Sequence, residues 1–174
     1  GEVGQAFLLN SGANDYLTVP ASSNLNVAAG GSFTAEAWIK VSDVAGYHPI
    51  VEWNDGLGHG GVHMWILPYT GESAGVLFAN LVDTSGNSHS FHSPGGSVTT
   101  NVFQHVAVTY DQASGMGTLY VNGNVVAQVN LGQFAPQTSY HFWLGHRPNI
   151  PPSEPDYGSF LGGLLDEPSV YNRA

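Results

Sequence analysis

The chain has 174 residues, of which 13 are acidic and three are basic, giving a formal net charge of -10. Nucleic-acid binding needs Lys and Arg side chains that neutralise phosphates, so this composition excludes that class of partner and disfavours an anionic membrane surface. The sequence has no cysteine, which excludes a disulfide framework and a zinc-thiolate site.

Short runs rich in Val, Thr, Phe, Tyr and Trp, separated by Gly and Pro, predict β-strands along the whole chain. In chain order they fall near residues 5–9, 15–19, 33–41, 48–53, 62–67, 75–82, 87–92, 103–110, 117–122, 125–130, 140–146 and 165–171. Twelve short strands joined by short turns predict an all-β fold, a two-sheet antiparallel β-sandwich or jelly roll. The length favours a single domain over residues 1–174.

Two segments make the strand prediction specific. In SFTAEAWIKV (32–41), the side chains of Phe33, Ala35, Ala37 and Ile39 share one face, and those of Thr34, Glu36, Trp38 and Lys40 share the other. In LYVNGNVVAQV, the Asn122-Gly123 pair between two apolar runs is the strongest short signal for a hairpin. No apolar stretch approaches the ~20 residues that span a bilayer, so we expect no membrane insertion.

Five motifs in a fixed order resemble the bacterial laminin-G-like domains, which are concanavalin A-like jelly rolls. The motifs are ANDYLTVPASSNLN (13–26), SFTAEAWIKV (32–41), FQHVAVTYD (103–111), GTLYVNGNVVA (117–127) and FLGGLLDEPSVYNRA (160–174). The resemblance covers nearly the whole chain, although Phe103 stands where the third motif usually opens with Trp. It implies a two-sheet jelly roll that recognises glycans or proteins more often than it catalyses reactions, commonly as one module of a larger secreted or surface protein.

The same resemblance implies a structural calcium ion that ties the first strands to the last. Ca²⁺ takes six to eight oxygen ligands from carboxylates, backbone carbonyls and water. The matching positions in this sequence are Asn14, Asp15, Gly30, Ser32 and Asp166, and Gly31 lies between Gly30 and Ser32 in the same turn. The alternative is that Asp15 caps a turn and Asp166 accepts hydrogen bonds from backbone N–H groups.

Adjacent Asp166 and Glu167 are expected to point to opposite faces of the last strand, because side chains alternate along a strand. Glu167 then faces the sheet surface, or it pairs with Arg173 or Lys40. A retaining glycosidase needs two carboxyl groups about 5–5.5 Å apart that flank the scissile bond. Asp166 and Glu167 would not meet this requirement, because their side chains are expected on opposite faces. Glu154-Pro155-Asp156 is the nearest match to a catalytic spacing, but it lies in a Pro-rich loop. We therefore expect no enzymatic activity.

Aromatic side chains indicate where a sugar would bind, because sugars stack their C–H faces on aromatic rings while polar groups hold the hydroxyls. Trp38 lies in a motif of the resemblance, which predicts a structural role. The other three tryptophans precede polar turns, and we expect at least one of them in a ligand groove, with core packing as the alternative for any one. The predicted ligand-binding residues are Trp53, Asp55, His59, Trp65, Tyr69, Trp143, His146, Arg147 and Tyr157.

These patterns predict a non-catalytic recognition module that binds a neutral glycan and holds a structural Ca²⁺. The alternative is a protein-interaction or spacer module of a bacterial adhesin or surface protein, with no sugar site. Only 9% of the residues are charged, so Gly, Ser, Thr, Asn and Gln must cover much of the surface. Such a surface suits an extracellular or cell-surface setting and a neutral glycan or extracellular protein partner.

Overall fold

A computed structural model describes residue 1 and residues 4–68, 73–148 and 159–174. Twelve strands lie in these ranges: β1 (Phe7–Leu9), β2 (Leu17–Val19), β3 (Phe33–Val41), β4 (His48–Asn54), β5 (Gly60–Leu67), β6 (Val76–Asn80), β7 (Ser90–His92), β8 (Gln104–Asp111), β9 (Met116–Val121), β10 (Asn124–Asn130), β11 (His141–Leu144) and β12 (Gly163–Tyr171). Two short 3-10 helices, Ser11–Ala13 and Val27–Gly30, join the first strands. Among the described residues, no helix is long and apolar enough to cross a membrane.

The strands form two six-stranded antiparallel sheets, which confirms the predicted jelly-roll sandwich. Sheet I has the order β1-β12-β3-β8-β9-β10, and sheet II has the order β2-β11-β4-β5-β6-β7. The first and last strands of the chain are neighbours in sheet I, where Phe7 is opposite Leu165. Every pairing between these strands is antiparallel.

The core lies between the sheets and follows the strand alternation. Phe33, Ala35, Ala37 and Ile39 on β3 are fully buried, while the residues between them are half-buried on the outward face. From sheet II, Trp53 packs against Phe33, with ring centroids 6.4 Å apart at a T-shaped angle of 78°. The predicted division of SFTAEAWIKV into two faces is therefore confirmed, and the face of Phe33, Ala35, Ala37 and Ile39 is the inward one.

The Asn122-Gly123 turn joins β9 to β10 as predicted. Both residues have positive φ, 51° for Asn122 and 75° for Gly123. A type I′ turn requires positive φ at both central positions, and its twist matches that of the flanking strands. The strands pair directly across the turn, with Val121 opposite Asn124.

A β-bulge in β12 breaks the alternation expected for Asp166 and Glu167. Asp166 is opposite Trp38 and Ser169 is opposite Glu36, so two residues of β12 lie between these pairs where β3 has one, and β12 has one extra residue. Glu167 takes the left-handed conformation with φ 47°. Its side chain lines the same outward cavity as Trp38 and Glu36. The prediction that the two acids face opposite sides is wrong because side-chain alternation does not continue through a bulge.

Candidate functional site

The outward face of sheet II carries a continuous row of polar and aromatic side chains. Trp143 on β11 is opposite Glu52 on β4, Glu52 is opposite His63 on β5, and His63 is opposite Asn80 on β6. Directly opposed residues on neighbouring strands project from the same face. Four strands therefore bring together side chains that lie far apart in the sequence.

An ion pair lies at the centre of this row. The Glu52 side chain is fully buried, and its Oε2 lies 3.4 Å from Nη1 of Arg147, whose side chain is 14% exposed. The Asn54 amide donates a hydrogen bond of 2.7 Å to the other carboxylate oxygen. The guanidinium also lies over the indole of Trp65, 4.5 Å from the ring centroid. The positive charge of Arg147 is thus balanced locally and packed against an aromatic ring.

His63 is a neutral imidazole in this environment. Burial, and secondarily the positive charge of Arg147, lowers the pKa of His63 from 6.5 to about 3. Its Nδ1 lies 2.9 Å from the carbonyl oxygen of Gly61, and because a carbonyl can only accept, Nδ1 carries the proton. The ring packs 5.0 Å from that of Trp65.

An open cavity of about 330 Å³ lies beside this row, and we call it the sheet II cavity. His63 and Arg147 contribute to its wall. Asp83 contributes a carboxylate, and the other polar side chains on its surface are the neutral ones of His59, Asn80, Thr84, Ser88, Gln137 and Tyr140. Such a surface offers many neutral donors and acceptors at fixed positions.

Two carboxylates hold the turns that border the cavity. Asp83 accepts hydrogen bonds from the backbone N–H of Ser85 and Asn87, the Asn87 amide and the His89 ring. Although burial alone would raise the pKa of Asp83, these hydrogen bonds hold it well below its usual range. Asp55 likewise accepts from the backbone of residues 57 and 59, and its Oδ2 lies 2.6 Å from Nδ1 of His59. Both turns are therefore ordered without a ligand.

The predicted residue Trp143 lies at the other end of the row, in an aromatic cluster. Its Nε1 donates to the Asn54 carbonyl at 3.0 Å, and its ring lies 5.5 Å from that of Tyr16. His146 stacks on Phe160 with centroids 4.1 Å apart and planes 8° from parallel. Burial lowers the pKa of His146. This cluster packs the β2–β11 side of sheet II, and its residues do not line the sheet II cavity.

The structure separates the other predicted ligand residues. Trp53 is fully buried between the sheets, where its Nε1 donates to the Leu25 carbonyl. It presents no face to a ligand, so the prediction for Trp53 is wrong, because Trp53 is on the inward face of β4. Trp65 is on the outward face but only 2% exposed beneath Arg147. Tyr69 and Tyr157, with the Glu154–Asp156 segment, lie outside the described residues.

The register of sheet I separates two of the predicted calcium ligands, Ser32 and Asp166. Asp15 accepts a hydrogen bond from the backbone N–H of Asn10, which follows the end of β1 that is opposite Gly163. Asp166 is three residues beyond Gly163 on β12, which is about 10 Å along the strand. Ser32 precedes β3 by one residue, whereas Asp166 is opposite Trp38, about 20 Å along that strand.

Two oxygens bound to one Ca²⁺ lie at most about 5 Å apart, which is twice the Ca–O distance, so Ser32 and Asp166 are too far apart along the strand to share an ion. Asn14 ends a 3-10 helix with φ 60°, and Gly30 is the last residue of the other 3-10 helix. Asp15 thus caps a turn, as the alternative had it, and Asp166 accepts a hydrogen bond from the backbone N–H of Glu167 at 3.1 Å. In the part of the chain that the structure describes, no three His, Asp or Glu side chains are grouped to hold a metal.

Several residues of the sheet II cavity were missed from the sequence. Asn80 and His63 become neighbours only through strand pairing, and Gln137 and Tyr140 come from a loop before β11. The alternation of β5 could have placed His63 and Trp65 on one face, opposite Met64. The strand order that brings these residues beside Asn80 is not visible in the sequence.

Residues 11–174 match the family described as the concanavalin A-like lectin/glucanases superfamily. Among curated proteins, no significant relative matches the chain. Similar solved structures share the fold at low sequence identity. The Ruminococcus gnavus IT-sialidase CBM40 is 17% identical with a TM-score of 0.71, over 98% of this chain and 90% of that one.

Two further similar structures contain oligosaccharides. The same CBM40 bound to alpha2,3 sialyllactose is 18% identical with a TM-score of 0.66, over 82% of this chain and 76% of that one. Domain 4 of an extracellular arabinanase from Geobacillus stearothermophilus, in complex with arabinotriose, is 17% identical with a TM-score of 0.64. That match covers 98% of this chain and 72% of the other.

Proposed function

This chain belongs to the concanavalin A-like lectin/glucanase superfamily, and we propose that it is a non-catalytic module that binds a neutral glycan in the sheet II cavity. The observation that carries the proposal is the lining of that cavity, in which mostly neutral polar groups, with one carboxylate and one guanidinium, surround an open space of about 330 Å³. Ligand pockets of proteins span roughly 300–1,000 Å³. The similar structures described above that are bound to sialyllactose and to arabinotriose support the ligand class.

A neutral sugar fits the electrostatics of the cavity better than an acidic one. Arg147 is the only Lys or Arg among the described residues that line it, and its charge is balanced by the buried carboxylate of Glu52. His63 adds no positive charge near neutral pH, because its pKa is about 3. An acidic sugar would also meet a protein of net charge -10. Sialyllactose, which carries a carboxylate, should therefore bind more weakly than a neutral oligosaccharide.

Hydrolysis is not part of the proposal. Glycoside hydrolysis uses two carboxyl groups that flank the scissile bond. Asp83 is the one carboxylate that the described lining of the cavity contributes, and its oxygens accept four hydrogen bonds from its own turn. The calcium ion stays a prediction on which the proposal does not depend, since the register separates Ser32 from Asp166. The neutral, hydroxyl-rich surface suits an extracellular or cell-surface module, and we propose that setting.

A panel of oligosaccharides tests this function. Isothermal titration with neutral arabino-, gluco- and galacto-oligosaccharides and with sialyllactose should detect binding to at least one neutral member. Asn80→Ala and Tyr140→Ala should each weaken that binding about tenfold, the effect of losing one or two hydrogen bonds to a ligand. Tyr120→Ala, on the outward face of sheet I, is the matched control and should bind as wild type does.

Two results would overturn the proposal. If no neutral oligosaccharide binds, a protein-interaction or spacer role replaces it. If binding is unaffected by both cavity variants while each remains folded by circular dichroism, the glycan binds elsewhere on the molecule.

A further inference from the structure

The outward face of sheet I has a cavity of its own, on the opposite side of the sandwich from the proposed glycan site. It has a volume of about 420 Å³ and is lined by Glu36, Trp38, His105, Glu167, Ser169 and Tyr171. We propose that this sheet I cavity binds the protonated amino group of an amino sugar, with the sugar ring against Trp38.

Three strands build the cavity through their register. Trp38 on β3 lies between Asp166 on β12 and His105 on β8, and Glu36 is opposite Ser169. The His105 ring meets the edge of the Trp38 indole, with centroids 5.4 Å apart and planes at 64°. The indole is half-buried and lines the open cavity. It therefore offers a positioned aromatic surface.

Two carboxylates make the cavity negative. Glu36 accepts a hydrogen bond of 3.1 Å from the Tyr171 hydroxyl, and its other oxygen lies 3.5 Å from Nε2 of His105. Glu167 is exposed, and no described residue makes a hydrogen bond or ion pair with its side chain. At the bulge described above, Glu167 lines the same cavity as the Trp38 indole. No Lys or Arg is among the described residues that line the cavity.

Cations already lie over aromatic rings on this face, and one is Lys40, whose Nζ is 5.8 Å from the centroid of the Phe103 ring. The guanidinium of Arg173 lies over the ring of Tyr171, 4.9 Å from its centroid. A cation is attracted by the negative face of an aromatic ring, and Trp is a better partner than Tyr. The Trp38 indole with Glu36 and Glu167 beside it is a stronger arrangement of the same kind.

The size of the cavity favours an amino sugar over a simple ammonium group. Its volume lies in the range of small-molecule pockets, which is far larger than one ammonium group requires. A sugar ring can stack on Trp38 while its hydroxyls meet Ser169 and its amine meets the carboxylates. This inference does not depend on the sheet II cavity.

Titration of a β-1,4-linked glucosamine tetramer tests it, with the N-acetylglucosamine tetramer of the same linkage as the neutral match. The titrations are run at pH 5.5, because the oxygens on neighbouring carbons lower the pKa of a glucosamine amine well below that of a lysine amine, and at this pH the amines are largely protonated. We expect the glucosamine tetramer to bind at least about tenfold more tightly than the acetylated one, because acetylation removes the charge. Glu167→Gln and Glu36→Gln should each weaken the binding of the glucosamine tetramer about tenfold.

Matched controls separate this site from general attraction and from the other cavity. Asp15→Asn removes the same charge at an exposed residue outside the sheet I cavity and should bind as wild type does. Tyr140→Ala in the sheet II cavity should also leave glucosamine binding unchanged. Glu167→Gln changes an exposed side chain, so its fold is expected to be intact and its result decides the matter even if Glu36→Gln unfolds.

Three outcomes would overturn the inference. If the glucosamine tetramer does not bind, the inference is wrong. If the acetylated tetramer binds equally well, the charge of the amine plays no part in binding. Equal binding of hexalysine, lost in the same variants, would show that the cavity takes a cation without a sugar.

Discussion

Lowering the pH from 7 to 4.5 should destabilise the fold through His63. Burial, together with the charge of Arg147, lowers the pKa of His63 from 6.5 to about 3. Below pH 6.5 the unfolded chain therefore binds a proton at this residue that the folded chain does not bind. The free energy of unfolding consequently falls as the pH falls from 6.5 towards 3. Over the two pH units from 6.5 to 4.5, this amounts to roughly 2–3 kcal/mol.

Urea unfolding at pH 7.0, 5.5 and 4.5 measures this dependence. In His63→Asn the amide nitrogen can replace Nδ1 as the donor to Gly61, and the variant should lose most of the pH dependence. His92→Asn, at an exposed histidine, should keep it. His146 contributes in the same direction, because burial lowers its pKa too, so the difference between wild type and His63→Asn is the quantity to compare. An equal pH dependence in both proteins, or an NMR titration of His63 near 6.5, would refute the reasoning.

The other predictions concern the ion pair, a close backbone contact and the metal. Arg147→Met leaves the buried Glu52 carboxylate without its guanidinium and should lower the free energy of unfolding by ~3 kcal/mol. Adding Glu52→Gln to this variant should restore about half of that loss. If the losses of the two single variants are additive in denaturant melts, the two residues are not a coupled pair. Gly61→Ala would put a Cβ against the carbonyl oxygen of Gln137, so we expect a loss of ~2 kcal/mol by the same assay, and wild-type stability would count against that packing. Wild type and Asp15→Asn should melt alike in calcium and in EDTA; a stabilisation by calcium that Asp15→Asn removes would restore the predicted ion site.

Most of the fold was predictable because strand periodicity and turn chemistry are local. The alternation in residues 32–41 separated the two faces of β3, and Asn122-Gly123 identified the hairpin between β9 and β10. The same alternation put Trp38 on the outward face, where the structure has it. The expectation of a merely structural role came instead from the motif resemblance. The bulge at Glu167 was not predictable, because no Gly or Asn marks the left-handed residue.

The sites were less predictable because they depend on strand order. Arg147 and His59 were identified as polar residues near turns, and they do line the sheet II cavity. The prediction for Trp53 is wrong because its strand, β4, is buried along its whole length. A fully buried strand has no polar–apolar alternation that would separate inward from outward residues in the sequence. The calcium ligands come from motif positions, and the register shows that two of these positions, Ser32 and Asp166, are not neighbours in space.

Amide chemical-shift mapping with a bound neutral oligosaccharide tests the central proposal most directly. Titrating ¹⁵N-labelled protein with the tightest neutral ligand should shift the amides of His59, Asn80, Ser88 and Gln137, which line the sheet II cavity. The amides of β3 and β12 in sheet I should be unaffected. Shifts confined to sheet I, or spread evenly over the surface, would contradict a glycan site on the outward face of sheet II.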